Sequence, residues 1–186
     1  MGGDMTTHFS RREFTCKCGC NGNNIKTELV NKLETLYSEL EKTVDGVSAI
    51  YITSGYRCPT HSKNVGGYFN DAHTRGIAAD LYAVKADGEH RVSSYALAAL
   101  AEKLGFSGIG IIDGTAVHLD IRNNNNYVNA HWFGDESTGN DNIATFKQYM
   151  PSYKTTNTST TPNAKATKHK LTVTLDGKII LEKEIE

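Results

Sequence analysis

Residues 108–122 read GIGIIDGTAVHLDIR, two short apolar stretches on either side of Asp113-Gly114. An Asp-Gly pair between apolar runs is a strong signal for a tight hairpin, because both residues tolerate the backbone that such a turn requires. In the second stretch Val117, Leu119 and Ile121 alternate with His118, Asp120 and Arg122. Side chains of a strand point to opposite faces in turn, so one face is apolar and the other carries all three polar groups. An antiparallel sheet with a core on one side and chemistry on the other is the expectation.

The segments upstream supply the rest of that sheet and its cover. "SAIYITS" (48–54) and "AADLYAV" (78–84) have the β-branched, aromatic and apolar composition of buried strands. "IKTELVNKLETLYSELEK" (25–42) places Ile25, Leu29, Leu33, Leu36, Tyr37 and Leu40 on one helical stripe, with Asn24 as its cap. A second helix over "HRVSSYALAALAEKLG" (90–105) buries Val92, Tyr95, Ala96, Ala99, Leu100 and Leu104 and ends at Gly105. Residues 55–70, rich in glycine and broken by Pro59, read as an irregular loop. The fold class expected is α+β: a small antiparallel sheet with strands near 48–54, 78–84, 108–112 and 116–122. The two amphipathic helices pack on the face opposite the polar residues.

From Lys154 the composition changes. "KTTNTSTTPNAKATK" (154–168) has almost no apolar residue and reads as a flexible linker. "KLTVTLDGKIILEKEIE" (170–186) alternates around Asp176-Gly177 as a second hairpin. The expected organisation is one domain over 1–153, a linker over 154–169, and a β-hairpin tail over 170–186 that is a truncated second domain or an edge docking elsewhere.

The chain has 186 residues, 20 Lys and Arg against 21 Asp and Glu, and 38% hydrophobic residues. That balance builds no basic surface for nucleic acid and no basic amphipathic membrane face. No apolar run approaches the roughly 20 residues that cross a bilayer, so no membrane insertion is expected. "MGGDMTTHFSRREF" (1–14) lacks the apolar centre of a secretory signal, which implies a soluble protein made in the cytoplasm. Cysteines at 16, 18, 20 and 58 admit three readings: a metal clasp, a disulfide to Cys58, or free thiols. Metal knuckles usually space thiols as C-x-x-C, and C-x-C-x-C departs from that.

"DAHTRGIAAD" (71–80) sets His73 and Asp80 seven residues apart, with Gly76 and two alanines between them. Catalytic zinc takes three protein ligands from His, Asp, Glu or Cys and leaves a fourth position for water. His73, Asp80 and His118 supply two imidazoles and a carboxylate, Gly76 permits a sharp turn between the first two, and Ala78 and Ala79 keep bulk away.

"TSGYRCPTHSKNVGG" (53–67), "DAHTRGIAAD" and "VHLDIR" (117–122), in that order, resemble the zinc D-alanyl-D-alanine peptidases. That family includes cell-wall carboxypeptidases, vancomycin-resistance dipeptidases and phage endolysins that cut the L-alanyl-D-glutamate bond. The resemblance runs over about residues 8–150, and "HFSRREFTCKCGC" (8–20) is similar to the start of its phage and cell-wall branch. It implies Zn2+ on His73, Asp80 and His118, and Arg57 on the substrate carboxylate or the anionic intermediate. The implied substrate is a peptidoglycan stem peptide, cut by a monomeric enzyme acting at the bacterial cell wall. Three positions depart from the family's pattern. Asp71 replaces the serine of S-x-H-x-x-G-x-A-x-D, Thr115 stands where many members carry an acidic base, and Ala116 replaces a histidine of other relatives.

Two candidates remain for the base, Asp120 preferred as the closer group and Asp113 as the alternative. Asp120 shares a strand face with His118 and acts as the base or as a support for a ligand histidine. Asp113 lies in the turn, about 15 Å along an extended chain from His118. Two functional classes stay open: a zinc peptidase of peptidoglycan, or a catalytically inactive, zinc-stabilised cell-wall binding module such as the related hedgehog domains suggest.

Overall fold

The computed structural model describes residues 3–43, 47–122, 131–135, 169–175 and 178–185. Helix α1 (Thr27–Thr43) is followed by β1 (Val47–Ser54), the short α2 (Pro59–Asn64), β2 (Ala78–Lys85), α3 (Ser94–Lys103), β3 (Gly108–Ile111), β4 (Ala116–Asp120) and β5 (His131–Asp135). These five strands form one sheet in the order β1-β2-β4-β3-β5. Three of its pairings are antiparallel: β1 with β2, β2 with β4, and β3 with β4. The expected α+β class and all four expected strands are present.

One pairing differs from the all-antiparallel expectation, since β5 runs parallel to β3. Antiparallel pairing of Gly108 with Asp120 brings the end of β4 back beside the start of β3. His131 then pairs with Gly108, so β5 begins at that same end and runs in the direction of β3. Its sequence, "HWFGD", is five residues long and follows a run of asparagines, so no alternating apolar pattern marks it.

Alternation in the strands creates the two faces. Ala79, Leu81 and Ala83 of β2, Val117 and Leu119 of β4, and Ile109 and Ile111 of β3 all enter the hydrophobic core. Against them pack Leu29, Val30, Leu33, Leu36 and Leu40 of α1 and Leu97, Ala98, Leu100 and Ala101 of α3. Full burial of one such leucine contributes on the order of 2 kcal/mol from removed apolar surface alone. The opposite face presents Asp80 and Tyr82 of β2 and His118 and Asp120 of β4, with Gly108 and Gly110 of β3 beside them.

Several boundaries move for physical reasons. Helix α1 starts at Thr27, so Asn24 does not cap it; the amide of Lys26 instead donates to the carbonyl of Gly76 at 2.8 Å. Helix α3 starts at Ser94 rather than His90, because Arg91 is held in a β-bridge with Val84. Tyr95 and Leu104 pack on the core only partly buried, while Leu97, Ala98 and Ala101 are buried beyond the expected stripe. The expected loop over 55–70 contains α2, with Pro59 in its first turn and Cys58 as its cap. Strands β6 (His169–Leu175) and β7 (Lys178–Ile185) pair antiparallel in a second, two-stranded sheet. Of the linker expected over 154–169, residues 154–168 lie outside the described residues, as does the turn at Asp176-Gly177, while His169 is the first residue of β6 rather than linker.

Candidate metal centre

Register decides the site. Antiparallel pairing sets Asp80 of β2 directly across from His118 of β4, and Ser54 of β1 across from Asp80. His73 arrives from the turn before β2. The amide of Thr74 donates to Asp71 Oδ1 at 2.8 Å, and the second Asp71 oxygen takes a short hydrogen bond from the Ser62 hydroxyl of α2. Burial works against the Asp71 charge, but these donors outweigh it and hold its carboxyl below the usual range. Asp71 thus does the work of a short turn-capping group at the position of the family serine. Gly76 closes the turn at φ +70°, where an added Cβ would lie 1.9 Å from the carbonyl oxygen of Asn24. Only glycine fits there.

Three buried donor atoms converge. His73 Nε2 lies 3.1 Å from His118 Nδ1, His118 Nδ1 lies 2.8 Å from Asp80 Oδ1, and Asp80 Oδ1 lies 3.2 Å from His73 Nε2. Each imidazole spends its other nitrogen on an acceptor. His73 Nδ1 donates to the carbonyl of Gly55 at 2.8 Å, and His118 Nε2 faces Asp120 Oδ2 at 3.2 Å. Those partners fix the tautomers, so both lone pairs point at the same spot as the Asp80 oxygen.

This donor set fits zinc. Ligand bonds of 2.0–2.1 Å at tetrahedral angles separate ligand atoms by about 3.4 Å, close to the three spacings observed. Two neutral imidazoles and one carboxylate are the ligand types of a catalytic zinc with an open position. Without a cation, two nitrogen lone pairs and an anionic oxygen would face one another in a buried pocket, which is electrostatically costly. A proton at His118 is one other relief. Burial disfavours its charge, but hydrogen bonds to Asp120 and Asp80 prevail and push its pKa up to about 9.

Asp80 and Asp120 are each held by a second layer. Arg57 donates from Nη2 to Asp80 Oδ2 through a short hydrogen bond and from Nε to Ser54 Oγ at 2.8 Å. Burial raises the Asp80 pKa, but His118 and His73 outweigh it and keep the carboxyl well below the usual range. Asp120 is fully buried and accepts from the Arg122 backbone at 2.9 Å and from Arg122 Nε at 2.9 and 2.8 Å. Burial again opposes charge there, and His118 with Arg122 again overcomes it. Gly108 makes this possible: a Cβ on it would stand 2.2 Å from Asp120 Oδ2.

Asp113 is not brought into this cluster. It is exposed in the β3–β4 turn, where its Oδ1 accepts the amides of Thr115 and Ala116, both at 2.7 Å. Thr115 belongs to the same turn, donating its hydroxyl to Asp113 at 3.1 Å. The groups that sequence reading did not single out are Gly55, Ser54 and Gly108. Gly55 acts through a backbone carbonyl, which no side-chain pattern reports, while Ser54 and Gly108 depend on strand register.

A search among curated proteins finds no match. The family model described as Peptidase M15 matches residues 7–120, a span that begins before the cysteine run and ends on Asp120. It covers well over half of the 186 residues and includes His73, Asp80 and His118. With that match laid over a buried His-Asp-His cluster, the chain belongs to the Peptidase M15 family and is a zinc metallopeptidase acting on a peptide substrate.

Proposed function

We propose that the protein hydrolyses stem peptides of bacterial peptidoglycan, at a D-alanyl-D-alanine or L-alanyl-D-glutamate type of bond, acting at the cell wall as a monomer. The observation that carries this reading is the convergence of His73 Nε2, Asp80 Oδ1 and His118 Nδ1 within 3.2 Å of one another. The resemblance of residues 53–67, 71–80 and 117–122 to cell-wall peptidases supports the choice of substrate.

His73, Asp80 and His118 hold the zinc in this scheme. Bound zinc supplies an acidified water and a Lewis acid for the scissile carbonyl. Asp120 orients His118 by accepting a hydrogen bond from its Nε2–H and keeps the Nδ1 lone pair inward. Its carboxylate is fully buried and already engaged by Arg122, so a positioning role suits it better than proton transfer. Asp113, committed to two backbone amides, suits the turn. Arg57 holds the outer oxygen of Asp80, and its side chain is 18% exposed. A guanidinium carries five N–H donors, so those beyond Ser54 and Asp80 receive a substrate carboxylate or the anion formed during hydrolysis. Tyr68 and Phe69, 80% and 68% exposed between α2 and His73, offer an apolar lip to a peptide.

Purified protein incubated with bacterial sacculi tests the proposal. New amino groups should be released with zinc present and not with a chelator. Zinc-loaded protein that sediments with sacculi but releases none would identify a binding module instead.

A further inference from the structure

Outside the His-Asp-His cluster, the four cysteines form a second convergence of metal-ligating atoms. Cys16, Cys18 and Cys20 come from the N-terminal segment, and Cys58 caps α2 some 40 residues later. Their sulfurs all lie within 4.8 Å of one another. Cys16 Sγ and Cys18 Sγ are 3.4 Å apart, and Cys18 Sγ and Cys58 Sγ are 3.7 Å apart. A zinc ion with four thiolates at about 2.3 Å separates its sulfurs by about 3.8 Å, whereas a disulfide needs about 2.05 Å. All four are free thiols in the structure.

Backbone geometry is arranged around those sulfurs. Gly19 at φ +83° and Asn21 at φ +58° turn the segment back on itself, and Asn21 is the single non-glycine residue with positive φ among those described. A left-handed conformation is uncommon outside glycine, and Asn is among the residues that adopt it most readily. Three amides point at sulfur: Gly22 to Cys20 at 3.4 Å, Cys58 to Cys16 at 3.3 Å, and His61 to Cys58 at 3.4 Å. Amide donors of this kind favour the thiolate over the thiol and orient it.

We infer that Cys16, Cys18, Cys20 and Cys58 bind a second, structural zinc ion, separate from the one at His73, Asp80 and His118. Four protein sulfurs leave no open position, so this ion performs no hydrolysis. It clamps the N-terminal segment to residues 55–58, where the amide of Tyr56 also donates to the Phe14 carbonyl at 2.8 Å. That short stretch carries the Gly55 carbonyl that orients His73 and the Arg57 side chain that holds Asp80. The second ion therefore braces the supports of the first.

The test is metal counting on the full chain, with zinc and then with cobalt(II) as a spectroscopic substitute. Wild-type protein should hold two ions per chain. His118→Ala should keep one, together with the thiolate-to-cobalt charge-transfer absorption. Cys18→Ser/Cys20→Ser should lose that absorption and one ion while keeping the other. A wild-type stoichiometry of one that falls to none in His118→Ala would overturn the inference. So would cysteines that resist alkylation before reduction and are recovered as disulfides by mass spectrometry. Because the His118→Ala arm leaves the cysteines intact, a Cys variant that fails to fold does not shield the inference.

Discussion

The two clusters of metal-ligating residues are built in opposite ways. His73, Asp80 and His118 are all buried, and two of them stand on neighbouring strands in fixed register. The cysteines sit on turns and a helix cap, with Cys18 and Cys20 exposed. A one-residue slip of the sheet register would move every side chain to the other face and put Leu119 where His118 stands. The first cluster therefore owes its geometry to the hydrophobic core behind it. The second, in which Cys16 is buried and Cys18 and Cys20 are exposed, owes its geometry to φ angles and amide–sulfur bonds. A reacting centre needs rigid placement with one open position, while a structural one completes itself when the metal arrives.

The largest effect separating the two should come from His118→Ala. It removes a ligand and leaves Asp120 buried against Arg122, so hydrolysis of sacculi should fall by at least about a thousandfold, the equivalent of some 4 kcal/mol at the barrier. Residual hydrolysis near the wild-type rate would place the reacting centre elsewhere. Next comes Asp120→Asn. As a positioning change it should weaken zinc at the His-Asp-His centre by roughly 10- to 100-fold, with turnover recovering as zinc is raised. Turnover abolished while zinc stays bound would make Asp120 the base after all.

How much of this was legible in the sequence follows the same division. Alternation in residues 116–122 gave away the polar face, and spacing gave His73 and Asp80. The register that sets Asp80 across from His118 is a tertiary fact, as is the approach of Gly108 to Asp120. Asp113 and Asp120 are both acids near His118 in the chain, and strand alternation already sets Asp120 on the His118 face and Asp113 in the turn. Three-dimensional partners separate them, one held by turn amides and the other by Arg122. Strand β5 carries no sequence signal, because a five-residue strand completed by a parallel neighbour needs no alternating pattern of its own.

A smaller effect is expected from pH. A proton and a divalent ion compete for His118 Nδ1, and the imidazole pKa is raised to about 9. Below that value zinc must displace the proton, so apparent affinity at this centre should rise about tenfold per pH unit up to about 9 and then level off. Viewed as stability, the proton's contribution is complete below the ordinary value of 6.5 and is lost as pH rises through about 9. Zinc titrations with a competing chelator at several pH values measure the slope. A flat profile between 6.5 and 9 would contradict the coupling of His118 to its carboxylates. The smallest effect is expected from Asp113→Ala, which removes an acceptor of two amides. It should cost about 1–2 kcal/mol of stability in denaturant melts and leave zinc content and kcat unchanged. A collapse of kcat there would return Asp113 to the reaction.

The zinc ion is expected where His73 Nε2, Asp80 Oδ1 and His118 Nδ1 converge. Anomalous diffraction from crystals of the zinc-loaded chain, recorded on both sides of the zinc absorption edge, tests it most directly. An edge-dependent peak should lie about 2.0–2.2 Å from each of those three atoms. A zinc-loaded crystal with no such peak between them, or with the ion ligated by Asp113 or Asp120, would contradict it.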